Sequence, residues 1–243
     1  VAEVAVVTGS TRGIGFETAL GLGLAGCMVI VTGRSEQAAV AAARRLGERG
    51  VDAHGYHLEV TSTASVQRLA DDIERDHGRL DVLVNNAGIA AEWDAPGPSR
   101  YVHPEAARRT VETNVIGVFH MVEAMLPLLR RGDSGRIVNV SSFMGSLALQ
   151  SQADPAALVV PAYQASKAAL NSLTITLSKV LADTGITVYS VDPGFVQTDF
   201  SPINRAQAPL TAAQGAEPVV AAAMRTIDAA SGSFVSRDGV VPW

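Results

Sequence analysis

The chain has one cysteine, Cys27, so no internal disulfide can form. The simplest reading is a buried thiol in a reducing compartment. Long hydrophobic runs are missing too, since no segment reaches the roughly 18 consecutive apolar residues that a membrane span needs. The opening VAEVAVVTGSTRGIG has no basic region followed by a long apolar stretch, and the chain reads as a soluble cytoplasmic protein. Positive charge is not in excess: the net charge is −5, with no lysine/arginine stripe, so nucleic acid is not an expected partner. His54 and His57 stand three apart in a strand-like segment and would point to opposite faces. No Cys/His/Asp grouping has metal-site spacing, and no metal is expected. A G-x-S-x-G nucleophile elbow is also absent, which argues against a nucleophilic hydrolase.

What is present is ample core material, with 47% hydrophobic and 18% charged residues in 243. Short apolar, β-branched runs alternate with helical patterns. VAVV (4–7), MVIVT (28–32), DVLV (81–84), RIVNV (136–140), ITVYSV (186–191) and SFVS (233–236) read as strands, and HGYHLEV (54–60) is a further candidate. Residues 13–25 and 35–49 look helical. In 162–182, Leu170, Leu173, Leu177 and Leu181 make one apolar stripe that stops at Thr184-Gly185. Repeated β-α units imply an α/β fold with a mostly parallel, doubly wound sheet. There is no internal repeat and no interior linker, so one domain is expected. Stretches 90–104, 143–161 and 193–217, rich in Pro, Gly and Ser, follow strands whose carboxyl ends would line a binding crevice, and are candidate substrate loops.

The first strand runs through a glycine turn into a helix. Gly9, Gly13 and Gly15 would let the backbone approach a pyrophosphate at the helix N-terminus, with Ser10, Thr11, Arg12 and Ile14 completing the cofactor-binding segment. The spacing, G-x-x-x-G-x-G, is also compatible with a plain strand–helix turn. NAD sites usually end the second strand with an acid. Here VTGRS places Gly33 at that point, followed by Arg34. Arg34 and Arg12 together would bind a 2′-phosphate, although either alone could be a solvated surface arginine. The expected cofactor is NADP(H).

TGSTRGIG (8–15), NNAG (85–88), Asn114 in ETNVIGVF, VNVSS (138–142), YQASK (163–167) and VDPGFVQTD (191–199) stand in the order seen in short-chain dehydrogenases/reductases, which the chain resembles over nearly its whole length. The ending GSFVSRDGVVPW and the FM after the double serine look like the carbonyl-reductase branch. The resemblance implies a Rossmann-type, seven-stranded parallel sheet in a single domain. It also implies a catalytic tetrad, at Asn114, Ser142 (rather than Ser141), Tyr163 and Lys167. It places Asn86, Ala87 and Gly88 beside the adenosine ribose, and Pro193, Gly194, Val196 and Thr198 at the nicotinamide end. Glu59-Val60 stands where the family often has Asp-Val at the adenine pocket. The family's serine commonly lies thirteen residues before its tyrosine; here the separation is twenty-one, so about eight residues are inserted within LALQSQADPAALVVP.

Tyr163 and Lys167, four apart, share one face of a helix. They could be a surface pair. Otherwise the ammonium favours the phenolate and lowers the tyrosine pKa, making Tyr163 a proton donor to a substrate carbonyl. Ser142 would bond the same oxygen. By resemblance, Lys167 also holds the nicotinamide ribose and Asn114 positions a water that links Lys167 to solvent. Trp93, Phe143, Met144, Leu149, Phe195 and Phe200 in the three loops point to an apolar or aromatic ketone or aldehyde, though several could be loop anchors. Trp243 reads as a terminal anchor. The expectation is an NADPH-dependent carbonyl reductase. The alternatives are a carrier-bound fatty-acyl or polyketide ketoreductase, an alcohol dehydrogenase, or a non-catalytic NADP-binding sensor. A homo-oligomer is expected by resemblance, with a monomer also open.

Overall fold

Val4–Val7 (β1) is buried at all four positions, because helices cover the sheet on both sides. The computed structural model describes residues 2–94, 102–132, 134–154 and 158–243. Residues 95–101 and 155–157, within the loops expected at 90–104 and 143–161, lie outside the described residues. After β1 come Gly13–Leu24 (α1), Met28–Gly33 (β2), Glu36–Gly47 (α2), Ala53–His57 (β3), Thr63–His77 (α3) and Val82–Asn85 (β4). Pro104–Val111 (α4) leads through a π turn, Glu112–Ile116, into Gly117–Leu129 (α5), followed by Arg136–Val140 (β5). Then follow Leu147–Ser151 (α6), Pro161–Val180 (α7), Thr187–Val191 (β6), Pro202–Gln207 (α8), Ala212–Ala223 (α9), Phe234–Ser236 (β7) and Gly239–Val240 (β8).

The strand order is β3-β2-β1-β4-β5-β6-β7-β8. The first seven strands of that order are parallel, as expected. An eighth strand adds to that parallel seven: β8 pairs antiparallel with β7 through Val235–Val240 and Ser236–Gly239. It is only two residues long and exposed, too short to form a strand pattern in the sequence. The candidate at 54–60 becomes β3 but ends at His57; Leu58 and Val60 leave the ladder and enter the core.

Alternation along each strand divides the core in two. Val4, Val6, Met28, Ile30, Leu83, Ile137 and Val188 face α3, α5 and α7, where they meet Leu69, Ile73, Met121, Met125 and Leu170. Ala5, Val7, Val29, Val31, Val82, Val138 and Tyr189 face α1, α2 and α9, where they meet Phe16, Leu20, Leu46 and Val219. The leucine stripe of α7 is on the first side, with Leu170, Leu173 and Leu181 buried and Leu177 packed against that core. Cys27 is buried, and burial pushes its thiol up to about 11. Trp243 stacks on Phe234 at 5.7 Å between ring centroids, and its carbonyl accepts from the Ala148 amide at 2.8 Å. Among the described residues no helix is long and apolar enough to cross a membrane.

One buried cation ties the strand starts together. Arg136, at the head of β5, donates from Nε to the Ala223 carbonyl at 2.8 Å and from Nη1 to Glu3 Oε1 at 2.7 Å. The hydrogen bond from Arg136 holds the Glu3 carboxyl below its usual range, partly opposed by desolvation. Arg136→Ala should lower the unfolding free energy by about 3 kcal/mol, because it strands a partly covered carboxylate and an orphaned carbonyl. Arg136→Lys should recover only part of this, since lysine lacks the planar fork. The Glu3 share is present above the ordinary carboxylate pKa and lost as pH falls through the lower folded value. Urea melts of the three proteins at neutral and acid pH check both statements.

Candidate active site

Where β1 ends, the chain turns through Thr8–Arg12 into α1. Gly9 and Gly13 take left-handed φ values of 64° and 58°, which side-chain-bearing residues rarely adopt. Gly15 answers a different need: a Cβ there would lie 2.5 Å from Asn86 Nδ2, so its absence lets α1 close on the end of β4. Arg12 gives α1 no side-chain cap, and its first turn holds no acidic residue. Free N–H groups and the positive end of the helix dipole therefore face the crevice, which suits a phosphate. The cradle fits the pyrophosphate of a dinucleotide.

Neighbouring side chains hold this turn in shape. The buried Ser10 hydroxyl donates to the Val7 carbonyl at 2.6 Å and accepts from the Thr32 amide at 2.9 Å. Thr8 Oγ1 accepts from the Asn86 and Ala87 amides, both at 2.9 Å. The Asn86 side chain donates back to the carbonyls of Thr8 and Gly9 at 2.8 and 3.1 Å. Two of the residues expected beside the cofactor, Ser10 and Asn86, thus have their side chains engaged inside the protein.

At the end of β2, a Cβ on Gly33 would lie 2.6 Å from Thr11 Cγ2. Thr11 fills the space where an NAD site would place its acid. Arg34 is exposed, and among the described residues no ion pair involves it. Arg12 lies 3.9 Å from Asp199, which Arg205 holds more closely at 2.6 Å. Both partners of the Arg12 contact are well exposed, so it is weak and easily exchanged. Glu59 Oε1 accepts from Thr61 Oγ1 at 3.0 Å, and Val60 is buried.

Three segments bring the expected tetrad together. Asn114 sits in the π turn, whose extra residue re-aims the side chain. Its Oδ1 accepts from the Ile89 amide and its Nδ2 donates to the Ile89 carbonyl, each at 2.8 Å. Nδ2 also donates to Ser166 Oγ at 3.0 Å, and Ser166 in turn donates to the Tyr163 carbonyl at 2.7 Å. Asn114 therefore joins the loop after β4 to the first turn of α7. Ser142 follows β5, accepts from the Met144 amide at 3.2 Å and hydrogen-bonds the Tyr163 phenol. Ser141 instead donates to Asn171 Oδ1 at 2.6 Å, inside the fold. Lys167 is one turn along α7 from Tyr163, with Nζ 5.5 Å from the tyrosine ring centroid, and donates to the Val140 carbonyl at 2.7 Å. A Cβ on Gly88 would stand 3.3 Å from Asn114 Oδ1 and 3.6 Å from Lys167 Nζ, so only a bare backbone fits there.

The electrostatics depart from the sequence expectation. Tyr163 is half-buried, and desolvation pushes its phenol above its ordinary value. The Ser142 hydrogen bond pulls it part way back, and the Asp192 charge pushes it further up. Desolvation brings the Lys167 ammonium down to about 8. The polypeptide alone does not produce the expected lowering of the phenol by Lys167. The ammonium is directed at Val140, and loss of water around the phenol is the larger effect. Burial also raises the Asp192 carboxyl, although the Gly194 and Phe143 amides donate to it.

The loop after β6 closes the crevice. Gly194 has φ 82°, Val196 is buried, and the Gln197 amide donates to the Leu210 carbonyl at 2.7 Å. Thr198 faces Gly13 of the glycine turn, where an added Cβ would meet its methyl at 3.5 Å. The Phe200 ring lies 5.3 Å from that of Tyr163. Phe143, Leu149 and Phe200 are each more than a third exposed. Among the described residues, no group of three His, Cys, Asp or Glu side chains is placed to hold a metal. Sequence reasoning missed Ser166, Asp192 and Glu92. The Glu92 carboxylate accepts from the Tyr163 amide at 3.0 Å, and its one trace in the sequence is a lone charge in the apolar run GIAAEW.

A family model described as short chain dehydrogenase matches residues 3–208. The 3-oxoacyl-(acyl-carrier-protein) reductase FabG of Haemophilus influenzae is 36% identical over 201 residues, covering 83% of this chain and 77% of that protein. The solved salutaridine reductase of Papaver somniferum is 31% identical, with a TM-score of 0.81 over 96% of this chain and 99% of its own. Actinorhodin polyketide ketoreductase, solved with NADPH, is also 31% identical, with a TM-score of 0.79 over 97% of this chain and 95% of its own.

The buried lysine leaves a pH signature. Lys167 titrates at about 8 when folded, against 10.5 for the ordinary side chain. Between those values the unfolded chain binds more protons, so the lysine's contribution to stability rises with pH; below the folded value its full penalty applies. Tyr163 and Cys27 act in the opposite sense near and above their ordinary values, so the comparison is wild type against Lys167→Met. The stability of wild type relative to the variant should rise by roughly 2 kcal/mol from pH 8 to 10. A flat difference in urea melts would show that Lys167 is not desolvated.

Proposed function

The chain belongs to the short-chain dehydrogenase family, and on that premise we propose that it is an NADPH-dependent reductase of ketones or aldehydes, with Tyr163 as the proton donor. Membership makes it an oxidoreductase acting between CH–OH and C=O groups with a nicotinamide cofactor. The observation that carries the finer reading is the meeting of Asn114, Ser142, Tyr163 and Lys167 beside the open N-terminus of α1.

When bound, the reduced nicotinamide supplies a hydride to the carbonyl carbon. The protein's own groups manage the oxygen. Tyr163, kept neutral by burial, gives its proton to the carbonyl oxygen as negative charge develops there. Ser142, already bonded to the phenol, donates to the same oxygen. The Lys167 ammonium, one turn along α7 and held at the Val140 carbonyl, would hold the nicotinamide ribose. A phenol that holds its proton through neutral pH suits the reductive direction. Asn114 keeps the Ile89 backbone and Ser166 in place around this exchange.

Arg34 and Arg12 support the 2′-phosphorylated cofactor. Thr11 supports it too, because an acid at position 33 would strike it. The apolar rim of Phe143, Leu149 and Phe200 supports an apolar or aromatic substrate. A second reading, reduction of a carrier-bound 3-oxoacyl or polyketide chain, draws on the names of two relatives. Turnover of free ketones without turnover of acyl thioesters would exclude it.

Absorbance assays of NADPH oxidation over a ketone and aldehyde panel test the proposal. Tyr163→Phe should lower kcat by roughly 10²- to 10⁴-fold while NADPH still binds. Arg34→Ala should raise the KM for NADPH about 10- to 100-fold and leave that for NADH nearly unchanged. Gly33→Asp alone should impair both cofactors, and Gly33→Asp with Thr11→Ala should shift preference toward NADH. Wild-type turnover that prefers NADH would overturn the cofactor reading.

A further inference from the structure

Helix α7 carries Tyr163 in its first turn yet has no cap of its own. Val160, at the capping position, offers no side-chain acceptor, and Pro161 has no N–H. The first turn of a helix leaves donors without intrahelical partners, and a buried helix end needs an acceptor from elsewhere. Here it comes from 71 residues away. Glu92, in the short 3-10 turn Ala91–Asp94 that follows β4, is only 3% exposed, and its Oε1 accepts from the Tyr163 backbone amide at 3.0 Å. Its other oxygen accepts from Thr110 Oγ1 of α4 at 3.3 Å, and that hydroxyl accepts from the Ala91 amide at 3.0 Å.

A carboxylate so deeply covered is unfavourable unless its partners replace water. At this place its oxygen meets an orphan N–H in the first turn of a twenty-residue helix. We propose that Glu92 is a positioning residue for the reaction: it caps α7 from the loop after β4 and fixes where the Tyr163 phenol stands over the crevice.

Glu92 acts through the backbone of Tyr163 and touches neither substrate nor cofactor. Other ties hold the rest of this end: Ser166 donates to the Tyr163 carbonyl, and the Gln164 side chain accepts from the Val160 amide at 2.9 Å. Ser166 reaches Asn114, and Gln164 donates to Gln150 Oε1 of α6 at 2.7 Å. Among these contacts, Glu92 is the one that takes the orphan amide of Tyr163 itself. Without it the first turn can fray, and a small displacement of a proton donor is enough to slow the chemical step. The same contact links Tyr163 to the loop that begins at Ile89, so a change in that loop reaches the phenol directly. The inference rests on Tyr163 being the proton donor.

The test compares wild type with Glu92→Ala and Glu92→Gln, the glutamine keeping an oxygen that can accept the same amide proton. Hydrogen exchange of the Tyr163 amide, read without cofactor or substrate, should be slow in wild type, fast in Glu92→Ala and slow again in Glu92→Gln. Kinetics should show kcat falling roughly 10- to 100-fold in Glu92→Ala. The NADPH dissociation constant should stay within about two-fold of wild type, and Glu92→Gln should recover most of the activity. A merely structural role predicts instead that both variants lose thermal stability and NADPH affinity together. Unchanged amide exchange in Glu92→Ala, wild-type kcat in that variant, or equal impairment of the two variants would each overturn the proposal. If none of the proteins reduces any carbonyl, the reductase reading fails, and amide exchange alone still decides whether Glu92 holds Tyr163.

Discussion

Parallel pairing of β1 with both β2 and β4 is the constraint on which this site depends. The chain leaves β1 toward β2 on one side and returns to β4 on the other, so the loops after β1 and β4 part and a crevice opens above the sheet. A gap of that kind exposes backbone polar groups at the strand ends. Thr8 and Asn86 close it with four hydrogen bonds from two side chains. Gly15 allows α1 to approach β4 closely enough for those bonds to form. The cradle for an anion and the floor beneath the tetrad are therefore parts of one stitched junction.

The chemistry above that junction is governed by loss of water more than by pairing of charges. Tyr163, Lys167 and Asp192 are all moved toward their neutral forms by burial. Backbone groups take over part of the solvation: the Val140 carbonyl for the ammonium, and the Gly194 and Phe143 amides for the carboxylate. A site poised this way holds its proton on the phenol and exposes little fixed charge. A hydrogen bond made in so poorly screened a place counts for more than it would in water.

No single element owns the site. Tyr163 and Lys167 come from α7, Ser142 from the end of β5, Asn114 from a π turn and the phosphate cradle from the β1–α1 junction. Small polar contacts keep these pieces in register, with Asn114 and Ser166 bridging two of them and Ser141 with Asn171 anchoring the turn that bears Ser142. The shape of the crevice is a property of the whole sheet, while its chemistry belongs to a few side chains at the sheet's edge.

The amino-acid sequence by itself determined the layered α/β architecture, because apolar runs and helical stripes such as Leu170, Leu173, Leu177 and Leu181 report burial directly. It also pointed to the candidate tetrad and the glycine turn, because motif order can be read without coordinates. It could not show β8, whose two exposed residues leave no pattern, nor that Ser10 and Asn86 serve the turn from within. The tertiary structure alone decided the sign of the Tyr163 shift, since desolvation depends on every neighbour and not on a spacing of four. It alone brought Glu92 to the Tyr163 amide, since a hydrogen bond across 71 residues follows from the crossover between strands and has no local signature in the chain.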